Sequence, residues 1–246
     1  MLAKLLIFAA GFAALSSFAM IAKRTNKKYT NTRHGKLLKT SDGSVYMFLD
    51  VYLTGNGAYN SGCILKFDKD LNLLWQKAYT EWNGTSATST FEVHGAAEYD
   101  ASTIVIYGYS WDLLKATVTM VNKSDGSVVW TKAVATIRPE SIAVIAGNIF
   151  IAGSTNNALN GVPFVVKLDG LGNVLNRVTY TKSSGAMYSI VSMSYSANDN
   201  CIYALSSGLD TSSRTETYVL KLGLDCSKID VFQIGNTSYE GMAVIS

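Results

Sequence analysis

The chain has 246 residues, 48% hydrophobic and only 16% charged, a balance that excludes a disordered chain and a coiled coil. Fourteen Tyr, 20 Gly and only two Pro suit half-buried pleated strands joined by tight turns, so the class leans all-β. The net charge of +3 conceals a split: residues 23–39 hold seven Lys/Arg and no acid, while residue 40 onward holds 13 Lys/Arg against 18 Asp/Glu.

Residues 1–19 read as a signal peptide. Lys4 supplies the positive start, Leu5 to Leu15 the apolar stretch, and Ser17-Phe18-Ala19 a small-x-small cleavage triplet. The expected location is therefore secreted, extracellular or at the cell surface, with no stable membrane insertion after cleavage. Residues 20–34 follow as a basic arm, either solvated or docked on an acidic surface such as a neighbouring copy. No basic stripe continues into the body, which argues against nucleic acid as a partner. Three sequons, at Asn83, Asn122 and Asn236, fall in predicted turns and are candidate glycosylation sites.

From residue 35 the chain repeats itself. A strand–turn–strand segment occurs at Ile64 to Tyr79, Thr119 to Ala133, Val165 to Tyr180 and, in degenerate form, Val219 to Asp230. Asp125-Gly126 and Gly172-Asn173 supply residues that tolerate positive φ in its turn. An apolar strand precedes each copy, starting at Val45, Thr103, Asn148 and Cys201. A third strand precedes that one, starting at His34-Gly35, His94-Gly95, Glu140-Ser141 and Tyr188-Ser189, with a fifth start at Glu240-Gly241. Four strands recurring every ~50 residues are the signature of a β-propeller blade. The expected blades span 35–90, 91–138, 139–185 and 186–238, and 239–246 adds one extra strand. That strand belongs to a longer propeller, closes a small ring, or completes a neighbouring molecule. No apolar period of 3.6 residues follows the leader, so crossover helices are excluded.

Thr40-Ser41-Asp42-Gly43 ahead of a strand, then a Lys-hydrophobic-Asp-turn-Trp segment, resembles the repeats of secreted bacterial and protist β-propeller proteins. It is also similar to the tryptophan-docking repeat of quinoprotein propellers. The resemblance covers some 210 residues of the 246 and implies the fold, not a chemistry. The metal and cofactor residues of the quinoprotein enzymes have no counterpart, so no cofactor and no catalytic residue are expected. Trp75 and Trp130 lie where a ring can cap the gap between neighbouring sheets, and Asn176 and Asp230 replace them in blades three and four.

Catalytic signatures are missing: there is no Gly-x-Ser-x-Gly, phosphate loop, His-Glu-x-x-His or paired Cys-x-x-Cys. Asp68, Asp70, Asp125 and Asp169 read as turn formers. One column has chemical content. His34, His94, Glu140, Tyr188 and Glu240 occupy the same repeat position at the channel-lining strand, and form either a ring for a metal ion or polar ligand or a solvated rim. Cys201 and Cys226 are expected at one end of one hairpin, where a disulfide would close a loop of about 25 residues. Cys63 is then left over, as a free buried thiol or a partner in an intermolecular bond. The expected protein is a non-enzymatic structural or binding module that associates with itself or with an extracellular protein or glycan, extending to a filament by strand or arm exchange. The alternatives are a lyase or glycan hydrolase using the channel, or a metal- or glycan-binding lectin-like protein.

Overall fold

A computed structural model describes residues 28–54, 59–79, 91–110, 115–135, 138–155, 161–181, 186–209 and 215–235. They form four sheets, each four strands in chain order and antiparallel. Blade 1 holds β1 (Lys28–Lys39), β2 (Val45–Thr54), β3 (Tyr59–Phe67) and β4 (Leu73–Tyr79). Blade 2 holds β5 (Phe91–Glu98), β6 (Thr103–Ser110), β7 (Lys115–Asn122) and β8 (Val128–Ala135). Blade 3 holds β9 (Arg138–Ile145), β10 (Asn148–Ser154), β11 (Pro163–Leu168) and β12 (Val174–Thr179). Blade 4 holds β13 (Ala186–Ser196), β14 (Cys201–Leu209), β15 (Thr215–Leu222) and β16 (Lys228–Gly235). No helix occurs among the described residues, and none there is long and apolar enough to cross a membrane. The leader 1–19, Asn83, Asn236 and the extra strand 239–246 with Glu240 lie outside the described residues.

The blades stack face to face, which explains why the middle strands are apolar without alternation. Every residue of β6 is buried. Ile104 and Ile106 pack with Tyr46, Phe48 and Ile64 of blade 1, whereas Val105 and Tyr107 pack with Ile149, Ile151 and Phe164 of blade 3. Phe150, Ala152 and Val165 of blade 3 meet Ile190, Ile202, Ala204 and Tyr218 of blade 4 in the same way. The outer strand β12 is almost wholly exposed.

Two expectations are corrected. The first strand starts at Lys28, inside the segment expected as a basic arm, with Lys28 paired to Thr54 and Tyr29 to Leu53. Tyr29, Thr30 and Thr32 favour extended backbone, and the far half of β2 needs a partner for its amides. The expected Cys201–Cys226 disulfide is absent, and all three cysteines are buried free thiols. Cys226 lies in the core shared with blade 3, beside Ile202 and Leu222. Cys201 precedes Ile202 in β14, so strand alternation turns it to the opposite side of the sheet. Its thiol donates to the Asp199 carbonyl at 3.2 Å.

The outer turns show why the aspartates recur. Asp68 Oδ1 accepts from the amides of Asp70 and Asn72, and Asp169 Oδ1 accepts identically from Leu171 and Asn173. Both turns close on a left-handed residue, Leu71 (φ 65) in the first and Gly172 (φ 78) in the second.

Candidate functional site

The column of inner-strand residues is a column of β-bulges. Pairing shifts by one residue between Val93 and Gly95, leaving His94 unpaired, and between Met187 and Ser189, leaving Tyr188 unpaired. Glu140 is skipped between Pro139 and Ser141, and His34 falls in the shift between Arg33 and Lys36. A bulge re-aims its side chain out of the sheet alternation. In blade 3 the bulge brings the Arg138 carbonyl against Gly153, where an added Cβ would lie 2.0 Å from that oxygen.

Two of the column's members meet. His94 and Glu140 line one recess of about 140 Å³ with Lys36, Glu92, Val93 and Arg138, drawn from the inner strands of blades 1, 2 and 3. His94 Nδ1 donates to the Pro139 carbonyl at 2.6 Å, which leaves Nε2 facing Glu92 at 3.6 Å. The Tyr107 hydroxyl donates to the Glu140 carbonyl at 2.7 Å, and Arg138 Nε lies 3.2 Å from the Glu140 carboxylate. Burial pushes the Tyr107 phenol up, keeping it a neutral donor. Blade 2 thus grips the blade 3 bulge by two backbone carbonyls. Tyr188 is half-buried on blade 4 and does not line this recess. Among the described residues no three His, Cys, Asp or Glu converge to hold a metal ion.

A second constellation joins the blades farther out. One row across blade 1 reads Leu38, Tyr46, Lys66, Trp75, and the matching row of blade 3 reads Ala143, Phe150, Lys167, Asn176. Trp75 Nε1 and Lys66 Nζ both donate to the Lys123 carbonyl in the outer turn of blade 2, at 3.0 and 2.9 Å. Trp130 Nε1 donates to Gly170 of blade 3 at 3.1 Å. Lys167 Nζ donates to Leu224 of blade 4 at 2.9 Å, and the Asn176 amide to Asp225 at 2.7 Å. Asn176 therefore makes the contact that a tryptophan makes elsewhere. Lys66 and Lys167 also sit 5.6 Å above the Tyr46 and Phe150 rings, which shield each ammonium on its own sheet. Glu98 adds a tie between blades 1 and 2, accepting from Ser41 and from Lys123 Nζ. Burial opposes its charge, but those hydrogen bonds outweigh it and hold the carboxyl below its ordinary range.

Sequence reasoning missed Glu92, Arg138 and the lysines. The signal for Lys66, Lys167 and Lys221 was present, because each stands third from the start of its own repeat copy. Asn122, the one sequon within the described residues, is half-buried and uses its amide to donate to Ser127 Oγ at 2.8 Å.

Four meander sheets stacked through such junctions define a β-propeller. No family model and no curated protein matches the chain. Among solved structures it is similar to the WD40 domain of Neurospora crassa Pan2, with 11% identity, a TM-score of 0.50, and coverage of 82% of this chain and 49% of that one. It is also similar to Kuenenia stuttgartiensis hydrazine synthase, at 10% identity and a TM-score of 0.51, covering 80% of this chain and 64% of that one. The chain spans about half of the first structure and under two thirds of the second. At such identity these likenesses carry the fold and nothing of the activity.

Proposed function

We propose that this chain is a secreted, non-enzymatic structural or binding module that associates with further copies of itself in an extracellular assembly. One observation carries the reading. The two groups best placed for proton transfer are engaged across the blade 2–blade 3 junction, His94 on the Pro139 carbonyl and Tyr107 on the Glu140 carbonyl, while the Glu140 carboxylate pairs with Arg138 of its own strand. A general acid or base needs a free proton position aimed at a substrate, and His94 Nε2 lies 3.6 Å from the Glu92 carboxylate. Electron microscopy of the purified 246-residue chain over a concentration series tests the assembly. Discrete monomers throughout would end it, and turnover of a polysaccharide abolished by Glu140→Gln would replace it with the channel-enzyme reading.

The recess supports a second reading, a polar-ligand module. Lys36 and Arg138 present cations and Glu92 and Glu140 present acceptors around a space of about 140 Å³, a pairing suited to an acidic sugar residue. Titration with glucuronate, followed by chemical shifts of His94, tests it. Unmoved resonances at saturating sugar would dismiss that ligand.

A further inference from the structure

His94 holds the blade 2–blade 3 junction through one ring nitrogen. A backbone carbonyl has no proton to give, so the 2.6 Å contact with Pro139 fixes the ring proton on Nδ1. The neutral ring then carries its lone pair on Nε2, which lies 3.6 Å from the Glu92 carboxylate. Both are acceptors, and neither supplies the other with a hydrogen. Protonation changes that side of the ring alone: Nδ1 keeps its donation to blade 3, while Nε2 becomes a cationic donor. The ring can change charge without releasing the junction. The His94 side chain is 14% exposed and that of Glu92 21%, so water screens a charge there only in part.

The groups facing His94 come from four strands. Glu92 stands two residues away on β5, Lys36 comes from β1, and Arg138 and Glu140 come from β9. Tyr107 of β6 meets the ring edge-on at 6.4 Å between centroids, with its hydroxyl engaged on the Glu140 carbonyl. Two cations thus stand against two carboxylates around a neutral imidazole, and Arg138 Nε already lies 3.2 Å from Glu140. An arriving carboxylate adds a negative charge that this balance leaves uncompensated. Histidine is the residue type among these that ordinarily takes up a proton between pH 5 and 8. A proton on Nε2 would restore neutrality and give the incoming oxygen a charge-assisted hydrogen bond.

We infer that the recess binds a carboxylate ligand together with a proton, taken up at Nε2 of His94. The inference rests on the polar-ligand reading above and adds its regulation. Linkage makes the effect reciprocal: a bound carboxylate favours the charged ring, and the charged ring favours the carboxylate by the same factor. Affinity should therefore rise as the surroundings turn acid. Lysine and arginine keep their charge across this range, so a site relying on them alone would show no such dependence. Glu92 limits the size of the coupling, because it attracts the same proton before any ligand arrives.

Ring resonances of the full chain, followed from pH 5 to 8 with and without saturating glucuronate, test the coupling. The chain has only two histidines, His34 and His94, so the signals are simple to assign. Glucuronate should move the midpoint of the His94 titration up by about one pH unit, and should bind about tenfold tighter at pH 5 than at pH 8. Glucose, which lacks the carboxylate, should leave the midpoint in place. In His94→Gln the affinity for glucuronate should no longer depend on pH; the titration of the parent chain needs no variant and stands if this one fails to fold. Glucuronate bound with an unmoved His94 midpoint would overturn the coupling and leave the polar-ligand reading standing. A pH dependence retained in His94→Gln would assign the proton to a carboxylate and overturn it too. A sugar acid that binds at neither pH would overturn both.

Discussion

Trp130 offers the sharpest test of how the blades are held. It stands half-buried on the exposed edge of blade 2, packed against the cluster shared with blade 3, and its Nε1 reaches the Gly170 carbonyl. Trp130→Phe keeps most of the ring and deletes the hydrogen bond, which contributes about 1 kcal/mol. Trp130→Ala removes both. A fully buried Trp truncation costs about 3–5 kcal/mol, and half burial scales that to about 2–3 kcal/mol. Trp130→Asn is the informative variant, because Asn176 makes the equivalent bond one blade later. If the hydrogen bond is the transferable part, Asn should recover about 1 kcal/mol over Ala. Urea unfolding followed by far-ultraviolet circular dichroism measures all three, provided the slope of the transition is unchanged. An Ala variant within about 0.5 kcal/mol of the parent, the scatter of ordinary surface changes, would refute the junction role. Asn no better than Ala would refute the equivalence with Asn176.

Three other outcomes follow from buried geometry. Tyr46 is fully buried and its hydroxyl has no hydrogen-bond partner among the described residues, so Tyr46→Phe should leave stability unchanged or raise it by about 1 kcal/mol in a urea titration; a loss would reveal a partner. Gly153→Ala drives a methyl into the Arg138 backbone carbonyl and should cost about 3 kcal/mol or more while altering the Glu140 bulge; a change under about 0.5 kcal/mol would mean β9 slides freely. Acid should weaken the fold. A hydrogen bond from the Thr40 hydroxyl, foremost, holds the Asp42 carboxyl at about 2, below its unfolded value, so its stabilisation is complete above that value and fades as pH falls toward 2. Glu98, also held low, adds to the same acid-side loss. Asp42 is largely exposed and contributes modestly; an Asp42→Asn chain whose urea midpoint falls as steeply as the parent's between pH 5 and 3 would remove it from the account.

Blade number and strand order were legible because each blade repeats one apolar middle strand and one turn, and these patterns arise from packing on both faces. The bulges were not. His94 and Glu140 were visible as a column of like positions, yet an unpaired residue is a property of two strands counted against each other, and Gly153 on β10 makes the Glu140 bulge possible. The cysteines failed for a related reason. Sequence placed Cys201 and Cys226 at one end of a hairpin, but the side of the sheet each thiol faces depends on strand alternation and on the left-handed turn at Cys226, φ 67. The start of β1 was hidden by its charge, since Lys28 and Arg33 read as an arm until their pairing with β2 is seen.

Asn176 changes what the repeat means. Judged by side-chain type, blade 3 has lost its docking residue; judged by what the side chain reaches, nothing is lost, because the amide and the indole both supply one N–H to a turn carbonyl. The constraint lies on the backbone acceptor, which sequence comparison does not display. Lysine reaches the same turn from the neighbouring strand, its ammonium shielded by an aromatic ring on its own sheet and satisfied by a carbonyl on the next. A blade can therefore exchange Trp for Asn and still dock, provided its row presents a donor and the next turn keeps its shape.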